Sequence, residues 1–235
     1  MKRVLTYPTF LFLLLLLSCG DEVLVPSTYL QEREYFPLVT GNWIRYQVDS
    51  IVHIDNELDA CEDSVNRFHF EILETVDYPF VDGEQDTAYR IARFRRTDSL
   101  QNWSFCSMWT SKLKQSGAER VEDNLRFVKL SFPFDRRATW NGNAYNNQDP
   151  ETYKYEEIGF SRSINSIVFP ATVKVLQNDF VTSIGATVKW EIYARGIGMV
   201  EKYVKDVRLL YGCGASPVID DGLEYSLKVL DYEIQ

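Results

Sequence analysis

Four cysteines, two histidines and several clusters of acidic side chains are the groups here whose types and spacing invite chemistry. In an oxidising compartment Cys61, Cys106 and Cys213 allow one disulfide and one leftover thiol, with three pairings open. Strands near 65–77, 87–97 and 102–113 running as a meander bring residues 65, 97 and 102 to one sheet end. That favours Cys61 with Cys106, with two strand spacings (roughly 10 Å) to be closed by the loop. Three buried free thiols are the alternative, and none of the three has a nearby base to make it a nucleophile. His53 and His69 are equidistant from Cys61, so a hairpin centred there sets them opposite each other as two metal ligands, with Asp55 or Glu71 nearby. A closed zinc site needs four ligands and no third shows convincing spacing, so the preferred reading is two histidines on a solvated sheet face. Asp55, Glu57, Asp59, Glu62 and Asp63 make an acidic loop, but Ala60 and Asn66 stand where an EF-hand requires Gly and Glu. The chain contains no Gly-x-Ser-x-Gly, no His-Glu-x-x-His and no phosphate-cradling glycine loop. Its 34 acidic residues give many carboxylate pairs without singling one out for glycoside hydrolysis. No catalytic residue, metal or cofactor is assigned, and the chain is expected not to be an enzyme.

The N-terminus sets the compartment. Lys2 and Arg3 precede an apolar run from Phe10 to Leu17, too short to cross a hydrocarbon core that needs about twenty residues. Leu16-Leu17-Ser18-Cys19 then resembles a bacterial lipobox, in which the leader is cut before a Cys whose thiol carries diacylglycerol. An ordinary secretory leader with a chance Cys is the alternative. On the lipobox reading, residues 1–18 are a signal peptide, Cys19 is the lipidation site, and several acyl chains hold the protein on a bilayer at about 0.8 kcal/mol per buried methylene. Losing Lys2 and Arg3 takes the net charge from −9 to −11, which repels polyanions and anionic headgroups and excludes a phosphate-tracking nucleic-acid binder. Gly20-Asp21-Glu22 directly after the Cys resembles the surface-export signal of Bacteroidota lipoproteins, which points to the outer membrane, on its periplasmic or cell-surface face.

These groups must be positioned by β-structure. Residues 19–34 read as a tether, broken by Pro26, Ser27 and Thr28. From residue 35 to 235 alternating segments succeed one another in what reads as one β domain. Ile44, Tyr46, Val48, Val52 and Ile54 fall on one strand face, with Arg45, Gln47, Asp49 and His53 on the other. Turns at Asp82-Gly83, Glu122-Asp123-Asn124 and Gly196-Ile197-Gly198 punctuate the runs. About ten such strands predict an all-β antiparallel meander forming a barrel, half-barrel or sandwich, with Tyr155 to Ile167 as the place for a short helix. Trp43 and Tyr46 open the first strand and are placed to plug one barrel end, the indole N–H needing a partner.

Tyr35-Phe36-Pro37-Leu38, Gly41-Asn42-Trp43, Trp140-Asn141-Gly142-Asn143 and the run from Tyr193 to Val200 resemble signatures of uncharacterised envelope lipoproteins of Bacteroidota. The resemblance implies an all-β envelope lipoprotein and brings no activity or functional residues. Gly41-x-Trp43 also resembles the lipocalin start, although the other lipocalin motifs are absent. Asp49-Ser50-Ile51, Asp63-Ser64-Val65, Asp86-Thr87-Ala88 and Asp98-Ser99-Leu100 resemble sites O-glycosylated in Bacteroidota envelope proteins.

Three functions compete. A barrel rich in aromatics can bind a small apolar ligand inside, or a glycan on exposed rings, with Trp103, Trp109, Trp140 and Trp190 as candidates. Alternatively the chain is an accessory lipoprotein of an outer-membrane protein complex, or an envelope hydrolase. The first, a noncatalytic binding module, is the reading adopted.

Overall fold

The computed structural model describes residues 31–55, 61, 64–214 and 216–235. Twelve strands follow one another: β1 (Trp43–Ile54), β2 (Ser64–Val81), β3 (Thr87–Arg96), β4 (Ser104–Leu113), β5 (Gly117–Glu122), β6 (Leu125–Ser131), β7 (Thr139–Asn141), β8 (Thr152–Ile164), β9 (Ile167–Val181), β10 (Gly185–Ala194), β11 (Gly198–Leu210) and β12 (Val218–Glu233). All pair antiparallel in one sheet of order β6-β5-β4-β3-β2-β1-β12-β11-β10-β9-β8-β7. Every strand pairs with its chain neighbours except β6 and β7, which stand at opposite ends of that order, and β12 returns to pair with β1, Trp43 opposite Glu233 and His53 opposite Gly222. The sheet curls into a nearly closed all-β barrel, as the alternating pattern predicts.

β6 and β7 are the two sheet edges, and a seam of mixed hydrogen bonds joins them. Val128 N–H donates to the Gly142 carbonyl (2.9 Å), and the Trp140 indole N–H donates to the Val128 carbonyl (2.9 Å). Further along, β7 has no residue to offer Ser131. The Tyr155 hydroxyl of β8 stands in for it, donating to the Ser131 carbonyl (2.7 Å) and accepting from its N–H (2.8 Å). Exposed ladder groups would template aggregation, so one phenol serves here as a short strand. Gly142 allows this packing because a Cβ there would enter the Tyr153 ring. Its role is therefore close approach to that ring.

Turn chemistry follows the strand twist. Asp123 and Asn124 (φ 48° and 66°) join β5 to β6, and Asn165 and Ser166 (φ 48° and 67°) join β8 to β9, both in the left-handed conformations of a tight hairpin. The second turn lies inside the segment expected to be a helix. Tyr155 to Ile167 is instead hairpin, and the pairing of β8 with β9 shifts register three times between Tyr155 and Arg162. Each bulge breaks the two-residue period, so the apolar spacing ceases to look like a strand.

Residues 31–42 close one end of the barrel, the proximal end, where the chain arrives. Residues 31–34, read from sequence as tether, are already held there. Gly196 N–H donates to the Glu34 carbonyl (2.8 Å), Arg195 pairs with the Glu34 carboxylate (2.6 Å) and Arg33 donates to the Lys114 carbonyl (2.7 Å). Tyr35 and Phe36 are buried in the core. At the opposite, distal end the inner wall meets water: Ile54, expected inside, is 43% exposed, whereas His53, expected outside, is buried.

Two sequence expectations about the first hairpin are corrected at that distal end. The β1–β2 register pairs His69 with Asp49, with Nδ1 to Oδ1 at 2.7 Å, and His53 with Val65, so the two imidazoles are not opposed. The disulfide joins Cys61 to Cys213 (Cα–Cα 5.2 Å), not Cys61 to Cys106, and Cys106 is an exposed free thiol on β4. The physical reason is the β12 return. It lays the β11–β12 turn next to the β1–β2 loop, a neighbour that no local meander of β2 to β4 supplies.

Candidate functional site

Alternation carries charged residues as well as apolar ones into the barrel. β5 reads Gly-Ala-Glu-Arg-Val-Glu, and sequence patterning passes over it, yet Arg120 and Glu122 point inward. Together with Glu74, Arg93, Lys129, Glu191 and Lys202 they form a belt across the interior. Lys129 Nζ meets Glu191 (2.7 Å) and Glu122 (2.8 Å), and Lys202 reaches both carboxylates (3.3 and 3.4 Å). Glu74 is shared by Arg93 (2.9 Å) and Arg120 (3.3 Å). The Tyr193 hydroxyl donates to Glu191 (2.6 Å), and Tyr46 to the Met199 carbonyl (2.9 Å). Burial opposes the charge on Glu191, but Lys129 and Lys202 outweigh it and hold its carboxyl below the ordinary value. Burial pushes the Tyr46 and Tyr193 phenols up, so both stay protonated donors.

Between this belt and the arriving segment lies a cleft with apolar walls that include Leu38, Ile44, Ile197 and Met199. Asn42, Glu74 and Arg120 contribute its polar lining. Its free volume is about 40 Å³, room for about three waters. That is far below the roughly 300 Å³ at which pockets for drug-sized ligands begin.

The outer wall carries a second, wider groove. It is lined by Trp43 and Arg45 of β1, Leu73 and Thr75 of β2, Arg96 of β3, Trp103 from the β3–β4 turn, and Asp231 of β12. The turn is folded by Thr97, whose hydroxyl donates to Gln101 (2.7 Å), and by Asp98, which accepts from Leu100 N–H (2.9 Å). Arg96 lies 4.3 Å from the Trp103 ring centre and holds Glu71 with two donors (2.9 and 2.7 Å). Trp43 finds the indole partner that the sequence calls for in Glu233 (2.9 Å). Arg45 is only loosely held, 3.6 Å from both Glu71 and Asp231, so its guanidinium keeps donors for a ligand.

The four tryptophans singled out from sequence are not gathered in one place. Trp103 lies in the outer groove. Trp109 is buried, its indole bonded to Asp123 (3.2 Å) and its ring covered by Arg93 at 3.6 Å. Trp140 belongs to the seam, and Trp190 stacks on Tyr203 with ring centres 5.5 Å apart. Trp43 joins Trp103 because β3 sits two strands from β1 and its turn folds onto their outer face, a placement with no local sequence signal.

Asp82, Glu84 and Asp86 also converge, at the proximal end, but the Lys112 ammonium already sits among them at 2.7, 2.6 and 3.3 Å. This is a compensated ion cluster. Of the resembling glycosylation triplets, Ser50 is buried, whereas Ser64, Thr87 and Ser99 are exposed. Cys19, the leader and most of the acidic loop from Asp55 to Asp63 lie outside the described residues.

The chain matches no protein-family model and no curated protein. Among solved structures it is similar to a protein designated as exported, of YmcC-like fold, from Bacteroides fragilis NCTC 9343 (11% identity, TM-score 0.44, covering 84% of this chain and 98% of that one). It is also similar to a protein designated as a lipoprotein from Parabacteroides distasonis ATCC 8503 (10% identity, TM-score 0.36, covering 85% and 98%). At these values the likenesses carry no functional assignment.

Proposed function

We propose that the chain is a noncatalytic lipoprotein, anchored through Cys19 to the outer membrane, that binds a glycan in the outer groove between Trp43 and Trp103. One observation carries this reading: two partly exposed indoles, an apolar floor at Leu73, and donor and acceptor groups at Arg45 and Asp231 line a single groove. A sugar ring needs this combination, since its C–H face stacks on aromatic carbon while its hydroxyls take directed hydrogen bonds. The charged belt and the small proximal cleft weigh against a bulky apolar cargo inside the barrel.

The test is titration of the full lipoprotein, in nonionic detergent, with a panel of oligosaccharides read by tryptophan fluorescence and calorimetry. Saturable binding by at least one glycan is expected, weakened about tenfold, or about 1.4 kcal/mol, in Trp103→Ala. Arg45→Ala is expected to weaken it similarly without lowering thermal stability. Binding that ignores both substitutions removes the groove from the proposal. A panel without any saturable ligand favours the accessory-lipoprotein role instead.

A further inference from the structure

We propose, resting on the glycan reading of the outer groove, that its ligand is a linear chain which continues along the outer face of β1 and β2 to a second subsite at Arg67 and His69. Register sets the path. The β1–β2 ladder runs without a bulge from Trp43 opposite Thr75 to Ile54 opposite Ser64. Strand alternation therefore keeps Arg45, Asp49 and Ile51 on one face, opposite Leu73, His69 and Arg67 in turn. Arg45 and Leu73 already line the groove, so this row leads out of it along the same wall.

A second cleft, of about 210 Å³, lies at the far end of the row, and its lining includes Asp49, Ile51, Arg67 and His69. It is smaller than the roughly 300 Å³ at which pockets for whole drug-sized ligands begin, which suits one unit of a longer chain. Its polar groups have capacity to spare. Arg67 is exposed and makes no hydrogen bond or ion pair among the described residues, so its guanidinium donors are free. His69 donates its Nδ1–H to Asp49 (2.7 Å), and Gln47 donates to the other Asp49 oxygen (3.0 Å). In the neutral ring this leaves Nε2 as an acceptor, on a side chain that is 62% exposed. Donors at Arg67, an acceptor at His69 and an apolar patch at Ile51 repeat the combination that lines the groove.

Spacing sets the length of the ligand. Four residues separate Arg45 from Asp49 and Leu73 from His69, about 13 Å along the strands. One sugar ring cannot touch both ends, whereas a trisaccharide or longer chain can. Gln47 lies between the two sites, and its side-chain carbonyl accepts no hydrogen bond among the described residues, so it is open to a hydroxyl of a middle unit. A chain joined across both sites gains affinity because its second contact forms within a complex already made.

The experiment titrates the full lipoprotein in nonionic detergent, by calorimetry, with glucose chains of the cellulose, laminarin and amylose linkages, from one unit to six. In at least one series affinity is expected to climb about tenfold or more from disaccharide to tetrasaccharide and then to level off. Arg67→Ala and His69→Ala are each expected to remove most of that gain. Thermal stability is expected to stay unchanged, because both side chains are exposed and the His69–Asp49 pair is a surface one. Trp103→Ala is expected to weaken every length alike. Affinity that is already maximal with a disaccharide overturns the extended path while leaving the groove a glycan site. So does a gain with length that survives both substitutions. If no series binds at any length, the glycan reading itself fails and the second subsite falls with it.

Discussion

Glu191 is fully buried, and the lysines around it hold it ionised, so its contribution to the fold depends on pH. Its carboxyl is held below the ordinary 4.5, so the ionised form stabilises the fold above about that pH. That contribution is lost as pH falls through the lower folded-state value. Glu122 behaves in the same direction, with burial outweighed by Lys129, Lys202 and Arg120. Thermal melts between pH 6 and about pH 2 are therefore expected to show a loss of stability that begins below about pH 4.5, and Glu191→Gln is expected to flatten the profile. Removing the carboxylate also leaves Lys129 and Lys202 to share Glu122 alone, for which about 3–5 kcal/mol is the expected cost by chemical denaturation. Tyr193→Phe removes one hydrogen bond to a charged group and is expected to cost about 1.5–3 kcal/mol. Both substitutions act inside the barrel, so neither is expected to alter glycan binding at the outer groove.

The seam and the disulfide carry the predictions at the scale of elements. Tyr155→Phe deletes both bonds to Ser131 and leaves an edge carbonyl and N–H without partners. Hydrogen exchange is expected to quicken in β6 and β7 while β1, β2 and β12 keep their protection. The Cys61–Cys213 link joins two distal loops, and Cys61→Ser with Cys213→Ser is expected to lower stability by about 2–5 kcal/mol. Thiol labelling of the unreduced protein is expected at Cys106. How much of this was legible beforehand depended on distance along the chain. Strands such as β1 and β3 announce themselves because apolar residues alternate along one face for part of their length, Ile44, Tyr46 and Val48 in β1 and Tyr89 and Ile91 in β3. β5 is hidden by its inward charges, β7 by its three residues, and β8 by bulges that erase its period. The cysteine pairing and the meeting of Trp43 with Trp103 depend on strands two places apart, or on the last strand returning to the first, and no local pattern records either. Half of the groove was visible, in Trp103. Trp43 carries only the signal of a strand opening, and it lines the proximal cleft as well as the groove.

For the molecule as a whole, the topology divides its contacts into two kinds. Hairpins between chain neighbours form the meander, and their closure is local and quick. The β1–β12 ladder is different: β1 ends at Ile54 and its partner starts only at Val218. Removing residues 218–235 is expected to leave β1 with a bare edge and the charged belt open to water. The truncated chain is expected to lose its cooperative melt and to be digested rapidly by protease. Seating of residues 31–42 faces the same delay, because Arg195, Gly196 and Gln235 hold that segment. A chain that emerges N-terminus first thus offers its opening strand and plug long before their partners exist. Until β12 has cleared the ribosome or a translocation channel, the molecule is a ribbon of hairpins that cannot latch. It stays threadable until β12 is free to pair with β1, so the emergence of that one strand sets when the barrel can close.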